Sequence, residues 1–268
     1  MTDKYAVIGN PVSHSKSPLI HKMFAEQTGQ DMSYEAIESP LDGFAATIQR
    51  LRDYGYKGCN ITVPFKHEAF KLANQHSDHA RAAKAVNTLL FQDGLIIGDN
   101  TDGIGLVTDI EQNLRISLQS KRVLLMGAGG AAHGVIWHLL NGGASIIIVN
   151  RTMEKAAQLA AEFKSYGTVF AESYGALAGQ QFDIVINATS SSLTDAMPPL
   201  PQGIFKHDAL AYDLMYGRQT PFLRFAQQQG AGKLAGGLGM LVEQAAVAFY
   251  KWRGACPDTS PVIARLSI

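Results

Sequence analysis

A chain of 268 residues reaches the size at which a single hydrophobic core stops growing, about 250 to 300 residues, so two domains are expected. Apolar residues make up 46% of the chain and charged residues 17%, which excludes a disordered or low-complexity protein. Lysine plus arginine balances aspartate plus glutamate at 23 each, leaving no net field to draw the chain to nucleic acid or an anionic membrane, and a small-molecule partner is expected instead.

From the N-terminus, strand-like and helix-like runs alternate. KYAVIG reads as a buried strand, and in GNPVSHSKSP the pair Ser17-Pro18 reads as a helix cap and first turn, with Ile20, Met23 and Phe24 following and a stop at Gly29. Capping leaves Ser13, His14, Ser15 and Lys16 without a task, and a helix start is also where an anion is comfortably held. MSYEAIE and a helix across DGFAATIQRLRDYG complete a βαβα unit, the pattern of a parallel sheet. GCNITV then reads as a third strand and HEAFKLAN as a short helix. AVNTLLFQDGLIIGDN reads as two strands around the turn Gln92-Asp93-Gly94. TDGIGLVTDIEQN predicts a helix leading away, and LRISLQSK a polar connection before a new βαβ at Arg122. There VLLM, an apolar helix and ASIIIV are followed by the helix MEKAAQLAAEFKSYG, strands TVFAES, FDIVINATS and ALAYDLMY, and the helix TPFLRFAQQQG. A last helix, from about Gly239 to Arg253 after the Gly-rich GGLGM, is expected to return to the first unit.

No run approaches the roughly 18 apolar residues of a membrane span, and MTDKYAVIGN lacks the features of a signal peptide, so a soluble, cytoplasmic protein is expected. Cys59 and Cys256 stand far apart without CxxC spacing or a histidine cluster, and neither a disulfide framework nor a metal site is expected.

The most specific motif follows VLLM: Gly127-Ala128-Gly129-Gly130-Ala131-Ala132, the dinucleotide-binding turn. Gly127 permits the tight turn, Gly129 lets the backbone approach a pyrophosphate at the helix start, and Ala132 allows close packing of helix on sheet. The next strand ends in Asn150-Arg151-Thr152, where an NAD-binding chain usually places an acid for the ribose 2′-hydroxyl. A guanidinium, the Thr152 hydroxyl and Lys155 one turn on suit a 2′-phosphate, so NADP is the expected cofactor. The competing role for this segment is a solvated arginine with Thr152 capping the next helix.

Taken together, GNPVSHSKSP, CNITVPFK, AVNTL, GDNTDGIG, GAGGAA, NRT and GLGMLVEQAA, in this order over essentially the whole chain, resemble the shikimate dehydrogenase family. The resemblance implies NADP-linked interconversion of shikimate and 3-dehydroshikimate, on the way to chorismate and the aromatic amino acids. It also implies two α/β domains, a mostly parallel-sheet substrate domain (1–103 plus 238–268) and a Rossmann-like, doubly wound NADP domain (104–237), with the active site in the cleft between them. A monomer or homodimer without nucleic-acid or membrane partners is expected.

By the same resemblance, Lys66 is the catalytic acid and base and Asp102 its carboxylate partner, also binding a substrate hydroxyl. Ser15 and Ser17 hold the substrate carboxylate, with Thr62, Asn87, Tyr216 and Gln244 around the ring. Neutral hydroxyl and amide groups match a cyclic polyol acid without burying unpaired charge. Thr189, in Asn187-Ala188-Thr189-Ser190, together with Leu214 and Gly237, corresponds to the family's nicotinamide side. Four positions depart from the family pattern: Lys84 and Ser192 replace glycines, Gly236 replaces an aspartate, and His133 stands where many relatives carry arginine. Rival readings are a quinate/shikimate dehydrogenase of broader specificity and a non-catalytic metabolite sensor. A third, a glutamyl-tRNA reductase, would need a catalytic cysteine and an RNA-binding domain.

Overall fold

Four consecutive buried residues, Tyr5 to Ile8, make β1 (Asp3–Gly9) a strand covered on both faces, as the middle of a parallel sheet requires. The computed structural model describes residues 2–189, 197 and 199–267. Two units divide the chain: Met1–Gly105 with Leu241–Ile268, and Leu106–Met240.

The first unit runs β1, α1 (Ser17–Thr28), β2 (Met32–Glu38), α2 (Phe44–Asp53), β3 (Tyr56–Ile61), α3 (Lys66–Leu72), β4 (Gln75–His76), α4 (Asp78–Ala83), β5 (Thr88–Gln92), β6 (Leu95–Asp99) and most of α5 (Asp102–Thr108). Its sheet has the order β2-β1-β3-β5-β6-β4, and only β5 runs against the rest. Ala6, Ile8, Ile61 and Leu89 pack with Phe44, Ile48 and Phe65 from α2 and the start of α3. Tyr5 points the other way and stacks on Trp252 at 4.7 Å, as period-2 alternation dictates. β5 and β6 meet in a two-residue turn with positive φ at both Asp93 and Gly94, the geometry that matches the twist of paired strands.

In the second unit follow β7 (Arg122–Met126), α6 (Gly130–Asn141), β8 (Ser145–Val149), α7 (Met153–Phe163), β9 (Val169–Glu172), β10 (Phe182–Asn187), β11 (Phe205–Asp213), α8 (Pro221–Gln228) and β12 (Lys233–Gly236). All neighbours in the order β12-β11-β10-β7-β8-β9 are parallel. The sheet is doubly wound, and its strand order reverses between β7 and β10, where such folds take their ligands. The chain returns through α9 (Leu238–Arg253) and ends in α10 (Ser260–Leu266). Trp252 Nε1 donates to Leu89 O at 3.0 Å, and Arg253 pairs with Asp3, fixing the end of α9 on β1 and β5.

Several elements differ from the sequence expectation. The single helix expected across TDGIGLVTDIEQN gives way after Thr108 to a π-turn over Asp109–Asn113. Asp109 is buried there, accepting from Tyr212 Oη at 2.7 Å and Asn113 Nδ2 at 2.9 Å, and a side chain on Gly239 would overlap its carboxylate. These tertiary bonds reshape a segment whose local pattern is plainly helical. β4, β12, α4, α10 and a 3₁₀ turn at Tyr174–Leu177 were not expected, being short and weakly patterned. Ser17 is not a cap: Lys16 occupies the N-cap position, Ser17 opens the helix, and Ser15 Oγ accepts from Ser17 N–H at 3.2 Å. Pro18 sets the chain to leave that loop early in the first turn, which moves the capping hydroxyl back to Ser15.

Candidate functional site

In the first unit, the ends of β1, β3 and β6 lie at one edge of the sheet, and the reversal of β5 puts its entrance there too. Asn60, Thr88 and Asp99 stand side by side in register, so Asn87, just before β5, falls between the loops that follow β3 and β6. Asn87 N donates to Asp99 O at 3.0 Å, and Ile61 N to Asn87 O at 2.7 Å.

Lys66 opens α3, after Phe65 has anchored that turn in the core, and Asp102 opens α5. Their side chains meet with Nζ 2.5 Å from Oδ2, at 21% and 10% exposure. The contact is a charge-assisted hydrogen bond rather than a solvent-screened surface pair. The other carboxylate oxygen, Oδ1, accepts from Asn87 Nδ2 at 2.8 Å. Asn87 is itself fully engaged: Oδ1 accepts from Thr101 N at 2.9 Å and from Thr88 Oγ1 at 2.9 Å. Because a backbone N–H can only donate, this bond fixes which end of the Asn87 amide faces Asp102. Gln244, on α9, brings Oε1 to 3.4 Å from Asn87 Nδ2 and 3.3 Å from Thr101 Oγ1.

The polar chain continues inward. Asn60 Nδ2 donates to Thr88 Oγ1 at 3.0 Å, and Tyr34 Oη donates to Asn60 Oδ1 at 2.7 Å. Tyr34 stacks on the fully buried His21 at 4.1 Å. Burial drives the His21 pKa down to about 3, with Asn60 working against it. Tyr34, half-buried beside it, has its phenol pKa raised well above 10 by desolvation, Cys59 adding to the rise and Ser17 opposing it. Ser17 is buried at the start of α1, whereas Ser15 stays half-buried at the loop surface. Thr62 N donates to Ile8 O at 2.9 Å, and its methyl occupies the space a side chain on Gly9 would need, so the GNP turn lies directly on Thr62. The structure therefore joins Lys66, Asp102, Asn87 and Gln244 in one cluster. Tyr34, Asn60, Thr88 and Thr101 were not expected in the site: Tyr34 carries no spacing signal, and Asn60, Thr88 and Thr101, though inside CNITVPFK, AVNTL and GDNTDGIG, read locally as strand and strand-end polar residues.

Asp99, next to this cluster, is buried and accepts from Ser77 Oγ and from Asn100 N. His79 and Lys251 also face it, Lys251 Nζ at 2.6 Å. Burial pushes the Asp99 pKa up, but His79, Lys251 and Ser77 outweigh it and hold the group as a carboxylate well below the usual range. Lys84 explains its own departure: it ends α4 in the left-handed conformation, φ 46°, where glycine is at ease. Its carbonyl meets His67 Nδ1 at 2.9 Å, two residues before Val86 N donates to Lys66 O.

The second unit builds its site from backbone. Gly127 has φ 107°, and a Cβ there would stand 3.0 Å from Ala188 O, across the point where the strand order reverses. Gly129 precedes α6 with open space around its missing side chain, and Ala132 is fully buried on the sheet. Ala128, Gly129, Gly130 and Ala131 thus present the start of a twelve-residue helix. Arg151, Thr152 and Lys155 are exposed. Thr152 sits at the N-cap of α7, yet its hydroxyl accepts no helix N–H, which removes the capping role; Asn150 Nδ2 donates to Thr152 O at 2.9 Å. These groups fit a dinucleotide with a 2′-phosphate: a side-chain-free turn at a helix start, then an exposed guanidinium and hydroxyl.

His133 is committed elsewhere, with Nε2 3.0 Å from Glu162 Oε2 and its ring edge-on to Phe163, tying α6 to α7. Asn187 and Thr189 lie at the end of β10, Leu214 and Tyr216 after β11, and Gly237 after β12. Gly237 is required to be glycine, because a side chain would overlap Leu214 O. Tyr216 is half-buried, with its phenol pKa raised by burial. Gly236 ends β12 opposite Asp213. Ser190 and Ser192 lie outside the described residues.

A parallel, doubly wound nucleotide unit, joined in one chain to a unit carrying a partly buried lysine–carboxylate pair, defines the class of NADP-type oxidoreductases. Models of the shikimate dehydrogenase substrate binding domain, of shikimate / quinate 5-dehydrogenase and of the shikimate 5′-dehydrogenase C-terminal domain match residues 7–89, 109–195 and 237–266. The shikimate dehydrogenase (NADP(+)) of Methylobacillus flagellatus is 58% identical over 98% of each chain. An Ael1 enzyme from Pseudomonas putida superposes with a TM-score of 0.94 at 51% identity, over 100% of this chain and 99% of that one. Shikimate 5-dehydrogenase from Thermus thermophilus, solved with NADP(H) and shikimate, gives a TM-score of 0.87 at 33% identity over 100% of both chains. The chain belongs to the shikimate dehydrogenase family.

Proposed function

We propose that this protein is an NADP-dependent shikimate dehydrogenase, reversibly reducing 3-dehydroshikimate to shikimate. The observation that carries the reading is Lys66 Nζ at 2.5 Å from Asp102 Oδ2, in a first unit whose companion unit bears an NADP-type turn. Lys66 gives its proton to the ketone oxygen in reduction and takes the hydroxyl proton in oxidation. Asp102 orients that ammonium and, with Asn87 and Gln244, receives the ring hydroxyls. Ser15 and Ser17 bind the substrate carboxylate, and Thr62 and Tyr216 complete the ring contacts with neutral hydroxyls. Residues 127–131 would hold the pyrophosphate, and Asn150, Arg151, Thr152 and Lys155 the adenosine 2′-phosphate. Thr189, Leu214 and Gly237 would face the nicotinamide. NADP, when bound, carries the hydride. The enzyme belongs in the cytoplasm by this reading; among the described residues no helix is long and apolar enough to cross a membrane.

The deciding experiment mixes purified protein with shikimate and then quinate, each with NADP and with NAD, and follows nicotinamide absorbance. Reduction of NADP with shikimate is expected to be fastest. No reduction with that pair would defeat the reading, and equal rates with quinate would broaden the substrate.

A further inference from the structure

Three residues given the nicotinamide side by family likeness, Thr189, Leu214 and Gly237, come from three different loops of the second unit, and all are tied to one carboxylate outside every motif. Asp213, at the end of β11, is fully buried. Its Oδ2 accepts from Asn187 Nδ2 at 3.1 Å and Thr220 Oγ1 at 2.6 Å, and its Oδ1 from Met215 N at 3.0 Å. Asn187 passes this on: with its amide turned toward Asp213, Oδ1 accepts from Thr189 N at 3.1 Å and Thr189 Oγ1 at 2.7 Å; Leu214 follows Asp213 directly in the chain, its N–H bonded to the backbone Asn187 O at 3.0 Å. Met215 passes it on as well, its carbonyl accepting from Gly237 N at 2.9 Å.

We infer that Asp213 is a positioning residue, setting the polarity of the Asn187 amide and through it and Met215 the placement of Thr189, Leu214 and Gly237 at the nicotinamide end of the cofactor. The inference rests on the proposed NADP reading. Its physical content is directional. A carboxylate offers only acceptors to the donors Asn187, Thr220 and Met215, whereas an asparagine must aim an NH₂ at one of them. If the NH₂ faces Asn187, that amide turns over and points its own NH₂ at the Thr189 N–H. If it faces Met215, two N–H groups oppose each other. Either outcome displaces a loop at the nicotinamide end; Gly127 abuts that loop at Ala188 and Thr189, but residues 128–131 and Arg151 take no part in the bonds to Asp213.

Asp213→Asn and the exchange Asn187→Asp/Asp213→Asn test this in the full chain. In the exchange, the amide introduced at position 213 donates to the carboxylate introduced at position 187, which again accepts from Thr189, and Met215 N keeps an acceptor. Three readouts apply: affinity for adenosine 2′,5′-bisphosphate, which lacks nicotinamide; the change in NADPH fluorescence on binding; and kcat against KM with shikimate and NADP. Asp213→Asn is expected to bind the bisphosphate within threefold of wild type and to lose the NADPH fluorescence change. Its kcat should fall at least thirtyfold with KM for NADP moved less than fivefold, and the exchange should restore kcat at least tenfold.

A kcat within threefold of wild type for Asp213→Asn overturns the inference, as does bisphosphate binding lost in parallel with activity, the mark of a merely structural role. Should Asp213→Asn not fold, the exchange decides against wild type: kcat within tenfold supports the inference, and below a hundredth overturns it. Wild-type protein that binds the bisphosphate but does not oxidise shikimate defeats the proposed function instead, and the NADPH fluorescence of the two variants still judges Asp213.

Discussion

The two units handle their expected ligands by opposite means. In the first, Lys66, Asp102, Asn87, Thr88 and Thr101 bond their polar groups to one another, so the side chains stand pre-oriented before any ring arrives. In the second, the turn from Gly127 to Ala131 is backbone, and Arg151, Thr152 and Lys155 are exposed. A polyol distinguishes itself by the direction of its hydroxyls, which only fixed donors and acceptors can read. A phosphate is read by charge, which unobstructed N–H groups and solvent-facing cations supply. Stability and recognition are therefore coupled in the first unit and separable at the Gly127–Ala131 turn and Arg151 of the second.

The comparison predicts effects of different kind as well as size. Lys66→Met should lower kcat about a hundred- to ten-thousandfold, and a kcat near wild type in a steady-state assay would remove Lys66 from the chemistry. Asn87→Leu should cost both activity and roughly 3 kcal/mol of stability, since it strands the Thr101 N–H and the Thr88 hydroxyl in the interior; urea unfolding measures it. His21 couples the same unit to acid. The unfolded imidazole takes up a proton below about 6.5, whereas the folded one resists to about 3 because it is buried, with Asn60 opposing. Stability is thus whole above pH 6.5 and falls as pH drops toward 3, by roughly 2 to 3 kcal/mol at pH 4.5, and His21→Phe should flatten this slope in urea midpoints taken from pH 7 to 4.5.

Arg151→Ala, by contrast, should weaken NADP at least tenfold and NAD little, with an unchanged melting temperature; equal losses for both cofactors would sink the 2′-phosphate role and blur the contrast between units. Smallest is Lys84→Gly, which should stabilise the protein by about 1 kcal/mol by relieving a left-handed lysine, read as a rise in the urea midpoint.

The course of the sheets was legible because buried strands such as Tyr5–Ile8 and Ile146–Val149 are continuous apolar runs, and the turn after β7 because glycine spacing there has a steric cause. Ser17 misled as a cap, since a hydroxyl before proline is equally at home one residue further in, with Ser15 doing the capping. The π-turn at Asp109 was hidden because its cause, Tyr212, is 103 residues away. Tyr34 and Asp213 lie in no motif, and Thr88, though inside AVNTL, has no role that its neighbours in sequence would suggest: each acts through bonds that exist only once distant strands are in register. Lys66 and Asp102 came from family likeness, and nothing in their local spacing would have paired them.

The reversed strand β5 has a practical consequence. Entering the sheet beside Asn87, it leaves by the Asp93-Gly94 turn at the opposite edge, five residues or about 17 Å away. A fluorophore or short affinity peptide placed on that turn would ride on a rigid hairpin, remote from Lys66 and Asp102, and so offers an attachment point for following ligand binding or unfolding without disturbing either.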